Sequence, residues 1–128
     1  MSALEVASVY IAVNILILIW LAFRVVSRRF RGKISQGDGG SDDLAIAIRV
    51  HGNASEYIPG MLVGLLVLAF LQAPTWAIHA LGIAFTLGRL MHVVGMSSGP
   101  IQFRQVGILL TWSTMVILSL VMLYLVFT

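Results

Sequence analysis

Four long apolar runs, separated by short polar breaks, organise this chain. A helix crossing a bilayer needs about 20 apolar residues to span a hydrocarbon core about 30 Å thick. Runs of that kind cover residues 6–26, 44–71, 75–96 and 102–127. They predict an all-α fold, an integral membrane four-helix bundle forming a single domain over residues 1–128. The first run reads as a retained anchor, because its basic residues follow the apolar block instead of preceding it as in a cleaved signal peptide. Residues 32–41 form a glycine-containing polar loop that is expected to be flexible. Ser41-Asp42-Asp43 then offers N-cap candidates and negative charge for the start of the second helix. At 1.5 Å per residue that helix would be about 40 Å long, so its first two turns are expected to project beyond the membrane. Gln72-Ala73-Pro74-Thr75 reads as a tight, uncharged turn with Pro74 at the next helix start. Ser97-Ser98-Gly99-Pro100 breaks the third run.

Composition agrees with a membrane protein. The chain is 59% hydrophobic and only 10% charged, whereas soluble domains carry about 25% charged residues. It has no cysteine, which excludes disulfides, thiolate metal sites and a cysteine nucleophile. All 8 Lys and Arg residues lie in or toward the first and third connections. The excess of cations at the cytoplasmic side of membrane proteins puts those two connections in the cytoplasm and both termini outside. Arg24, Arg28, Arg29, Arg31 and Lys33 form the densest cluster, and it reads as a topology signal; no nucleic-acid partner is expected.

Two short strings interrupt the apolar pattern. One is Arg49-Val50-His51-Gly52-Asn53-Ala54-Ser55-Glu56, the other Gly88-Arg89-Leu90-Met91-His92. A charge at a helix centre costs roughly 2.5–3.5 kcal/mol on insertion scales, so such groups face a bundle interior or a wet cavity. Arg49, Asn53 and Glu56 are spaced i, i+4, i+7 and share one stripe. Gly52, Gly60 and Gly64 lie on or beside it, and Gly60 and Gly64 have the spacing that lets helices approach closely. His51 points largely the other way. On the third span Arg89 shares a face with Gly82 and Thr86, and His92 follows one turn later. An antiparallel pairing of the two spans brings these groups to a common level. Arg49 and Glu56 are about 10 Å apart along one axis, so Arg89 is the expected partner of Glu56. The same residues have a plainer reading, an interhelical ion pair that holds the bundle together. Asn14 is expected to bond a neighbouring helix, and His79 reads as structural. The three tryptophans read as interfacial or packing aromatics, and the histidines are too scattered to specify a metal site.

The strings R-x-H-x-N-x-x-E (Arg49, His51, Asn53, Glu56) and G-R-x-x-H (Gly88, Arg89, His92) resemble the second- and third-helix motifs of the MAPEG family, membrane-associated proteins in eicosanoid and glutathione metabolism. The four spans, the basic first loop and the short length are similar to that family as well, and most similar to its bacterial YecN-like branch. The resemblance implies a bundle assembled as a homotrimer in a bacterial inner membrane. It also implies a glutathione site between subunits near the cytoplasmic side, built by Arg49, Asn53, Glu56, Arg89 and His92. In the glutathione-using members the acid holds the peptide's amino group and arginines hold its carboxylates, roles suited to the fork of a guanidinium. Two positions depart from the family's prostaglandin synthase. Met96 stands where that enzyme has a tyrosine, and Pro100-Ile101 is followed by Gln102 in place of arginine. Arg104, displaced by two residues and so turned about 200° around the helix, is the remaining candidate for catalytic stabilisation of a thiolate.

The function expected from these features is binding of glutathione or a related thiol, with transferase or peroxidase chemistry on a lipophilic small molecule that arrives from the bilayer. A structural or accessory subunit of a larger membrane complex is the alternative, favoured by the two departures. A small proton-coupled transporter is a third, resting on an acid within the membrane. The small multidrug exporters carry that acid in the first span, where this chain has Asn14.

Overall fold

A computed structural model describes residues 1–128. It contains four helices and no strand: α1 Ala3–Gly32, α2 Asp42–Phe70, α3 Thr75–Ser97 and α4 Ile101–Phe127. Each is long and apolar enough to cross a membrane. The chain is an integral membrane four-helix bundle, as the apolar runs predict.

Local chemistry sets the helix ends. Ser2 caps α1 through a capping box, in which the Glu5 N–H donates to Ser2 Oγ and the Ser2 N–H donates to Glu5 Oε2 at 2.7 Å. The helix continues well past the apolar run to Gly32, because the arginines that follow are good helix formers and lie beyond the need for hydrocarbon. Lys33 closes it in a left-handed conformation. Ser41 caps α2 by accepting from the Leu44 N–H at 3.3 Å. Gln72 turns the chain with φ 57, and the Pro74 carbonyl accepts from Ala77 at the start of α3. The loop between α1 and α2 is more tied down than expected. Arg29 Nη1 donates to the Gly37 carbonyl at 2.7 Å, and the Gly40 N–H donates to Asp38 Oδ1 at 2.9 Å. Gly37, Gly39 and Gly40 take positive φ values that only glycine adopts without strain.

Pro59 lies inside α2 without ending it. It has no N–H for the Ser55 carbonyl, a loss that membrane helices tolerate when neighbouring groups compensate. Nearby, Ser55 Oγ donates to the His51 carbonyl at 2.9 Å.

The helices pack as two hairpins, α1 against α2 and α3 against α4. α2 and α3 join the hairpins, and α1 does not meet α4. Glycines set the closest approaches. A Cβ on Gly107 would overlap the His92 backbone, and one on Gly95 would overlap that of Arg104. Gly64 admits Leu118 between α2 and α4, and Gly82 admits the Tyr10 ring between α3 and α1. Asn14 does bond a neighbouring helix, its Nδ2 donating to Thr86 Oγ1 at 2.9 Å. His79 ties α3 to α1, with Nδ1 2.7 Å from the Tyr10 hydroxyl. Only 28 of 128 residues are buried. Most of the apolar surface therefore faces outward, where lipid or a neighbouring copy must cover it.

Candidate ligand-binding cleft

The stripe on α2 opens onto a cleft shared with α3 and α4. Its walls are Ile48, Arg49, Gly52, Asn53 and Glu56 from α2, His92 and Met96 from α3, and Arg104 from α4. The cavity measures about 260 Å³. Helical spacing brings the α2 residues to one face, and the glycine contacts of the α3–α4 hairpin carry Arg104 across to them. Gly52 has open space where a Cβ would stand, so its lack of a side chain widens the cleft.

Arg89 lies beneath this cleft, fully buried. Its Nη2 donates to Asn53 Oδ1 at 2.7 Å and its Nη1 to Thr111 Oγ1 at 3.3 Å. Its guanidinium carbon is 5.7 Å from the centroid of the Tyr57 ring, within cation–π range. Thr111 is held in turn by the Gly107 carbonyl at 2.8 Å. One cation thus joins α2, α3 and α4 through two polar side chains.

The expected ion pair between Glu56 and Arg89 is not formed. The one ion pair in the chain is Arg28 with Asp43, at 2.9 Å. The reason is rotational. Asn53 stands one turn before Glu56 and meets the guanidinium first, while Glu56 is left exposed on the cleft wall. The cleft region consequently holds three guanidiniums, Arg49, Arg89 and Arg104, against one carboxylate, Glu56. Two buried polar atoms at this level have no partner, Nε of Arg89 and Nδ1 of His92. His92 is 2% exposed. Buried polar groups are normally satisfied, so orphaned atoms beside a cavity call for a ligand or water.

Every site residue expected from the sequence falls at this one level. Arg49, Asn53, Glu56, His92 and Arg104 line the cleft, and Arg89 is reached through Asn53. The 200° displacement of Arg104 does not turn it away, because Gly95 lets the start of α4 lie against α3 at that point. Thr111 and Tyr57 were not foreseen. Tyr57 follows Glu56 directly and is i+4 from Asn53, so its spacing carried a signal, whereas nothing in the spacing of Thr111 marks it. His51 is half-buried on α2 and does not line the cleft.

The MAPEG family model matches residues 7–124 of this chain. Two curated proteins are similar over almost their whole length. Both are described as inner membrane protein YecN, one from Escherichia coli K12 and one from Escherichia coli O6:H1. Each is 37% identical over 115 residues, covering 90% of this chain and 88% of the relative. No solved structure matches.

Proposed function

The chain belongs to the MAPEG family, and from that premise we propose that its cleft binds glutathione or a related small thiol, at an interface between copies in a homotrimer. The observation that carries the reading is the imbalance of charge in the cleft. Arg49 and Arg104 line it with one carboxylate, Glu56, and Arg89, buried behind Asn53, has no anionic partner. A ligand with two carboxylates and one ammonium matches that set. Arg49 and Arg104 bind the carboxylates by forked, charge-assisted hydrogen bonds, and Glu56 holds the ammonium. His92 lines the cleft wall, and Arg89 with Asn53 fixes the floor. The cavity, about 260 Å³, is smaller than the roughly 300–1,000 Å³ usual for small-molecule sites. A wall from a neighbouring copy would complete it, which supports the subunit interface.

When bound, the thiol supplies a nucleophile for conjugation or peroxide reduction of a lipophilic substrate. A thiol of ordinary pKa, about 8.5, needs a nearby cation to ionise at neutral pH. Arg104 is the residue placed to provide it. The bilayer location is the inner membrane, with both termini outside and the cleft toward the cytoplasmic side, following the cation asymmetry of the loops.

A second reading, an accessory subunit without turnover, is favoured by Met96. It lines the cleft where the family's prostaglandin synthase has a tyrosine, and it has no O–H to donate. Isothermal titration of the intact oligomer in mild detergent tests binding. Saturable heat with millimolar glutathione is expected. Absence of heat, with the trimer verified by light scattering, overturns the proposal. If glutathione binds but no electrophile or hydroperoxide is consumed, and a stoichiometric foreign protein co-purifies, the accessory reading replaces the enzymatic one.

A further inference from the structure

The far end of α1 carries a second concavity that the cleft does not use. Val26, Arg29 and Phe30 are spaced i, i+3, i+4 and so share one helix face, and Lys33 follows as the residue that closes the helix. With Ile34 and Ser35 they line a cavity of about 440 Å³. No residue is common to the two cavities.

We propose that this face binds an anionic phospholipid, with the headgroup phosphate on Arg29, Lys33 and Ser35 and an acyl chain along Val26 and Phe30. Position supports a lipid. At 1.5 Å per residue the 30-residue α1 is about 45 Å long against a hydrocarbon core of about 30 Å, so its last turns reach headgroup level. Charge supports an anionic one. Arg28 is committed to Asp43 and to the Arg24 carbonyl, whereas neither Arg29 nor Lys33 has a carboxylate within ion-pair distance. Arg29 is also oriented in advance. Its Nη1 is fixed on the Gly37 carbonyl at 2.7 Å, leaving its remaining N–H groups free to donate. Lys33 is held at the helix end by its left-handed backbone, φ 53.

The apolar half of the cavity separates a lipid from a soluble anion. Phe30 is 86% exposed and Val26 56% exposed, both directly beside the cations. A free phosphate would use the cations and leave these side chains uncovered. A lipid without a phosphate would cover them and leave the cations without an anion, and a zwitterionic phospholipid would offer its phosphate but bring its own cation toward Arg29 and Lys33. A ligand with a net negative head and a hydrocarbon tail uses both halves without that repulsion.

The test uses the full chain in mild detergent, titrated with phosphatidylglycerol or phosphatidylcholine and read by native mass spectrometry. Wild type is expected to retain phosphatidylglycerol in preference to phosphatidylcholine, and excess inorganic phosphate is expected not to displace it. Arg29→Gln and Lys33→Gln are each expected to weaken retention about fivefold, the worth of one basic residue near an anionic membrane surface. Phe30→Ala is expected to weaken it while leaving the charge unchanged. Arg31→Gln removes the same charge about 200° away around the helix, outside this cavity, and is expected to leave retention near wild type. Glutathione titration is expected to be unchanged in all four variants, which separates this site from the cleft. Equal losses in Arg31→Gln and Arg29→Gln would show a diffuse basic field and overturn the proposal. Equal retention of the two lipids, or displacement by phosphate, would overturn it as well.

Discussion

A guanidinium sealed inside a membrane bundle is costly unless its N–H groups are met. Arg89 meets part of that cost with one bond each to Asn53 and Thr111, and its Nε has no partner. Removing one partner strands the charge, whereas removing both relieves it. Asn53→Leu is therefore expected to lower stability by about 1.5–3 kcal/mol, the range for a hydrogen bond to a charged group. Asn53→Leu combined with Arg89→Met is expected to recover part of that loss. Thermal midpoints in detergent check both, and a double variant less stable than the single one would contradict this role for Arg89. The sequence put Arg89 inward but misassigned its partner to Glu56. Spacing along a helix gives the face on which a residue lies; it does not say which of two polar residues a turn apart reaches a guanidinium first. Thr111 was invisible for a different reason. A threonine in an apolar run bonds its own helix backbone as readily as a neighbour, and here it does both.

The four helices and their breaks were legible, because membrane length and capping chemistry leave strong marks. Ser41, Pro74 and Pro100 each stand at a helix start. α1 runs beyond its apolar stretch to Gly32, since an apolar run marks the membrane and not the helix, and arginine continues a helix into water. Packing between helices was only partly legible. The spacing of Gly60 and Gly64 marked a close approach without naming the partner, and α4 makes it, with Met115 at Gly60 and Leu118 at Gly64. Gly95 and Gly107, which bring α3 and α4 backbone to backbone, carried no spacing signal within either helix alone. Their contrast with Gly52 gives a direct test. Gly107→Val is expected to cost about 1–3 kcal/mol by overpacking against His92. Gly52→Ala meets no neighbour and gains helix propensity of up to about 1 kcal/mol. It is expected to hold or raise stability while weakening glutathione binding, because the new methyl narrows the cleft. Stability and titration measured on the same preparations check both variants; unaltered binding in Gly52→Ala would remove this residue from the cleft's functional outline.

The whole molecule leaves most of its apolar residues on the outside and gathers its charge at one level of the bundle and one end of α1. The absence of cysteine makes its orientation simple to measure with single introduced thiols. Ser2→Cys is expected to react with an impermeant maleimide added outside intact cells. Ser35→Cys is expected to react only after the membrane is opened, and the reverse pattern would invert the proposed topology. The cleft itself is best tested by a density map of the oligomer purified with glutathione. An elongated, peptide-like density between copies, touching Arg49, Glu56 and His92, is the expected result. A closed interface in which a neighbouring copy's carboxylates fill the arginine-rich wall directly would contradict ligand binding and leave the cluster as structural glue.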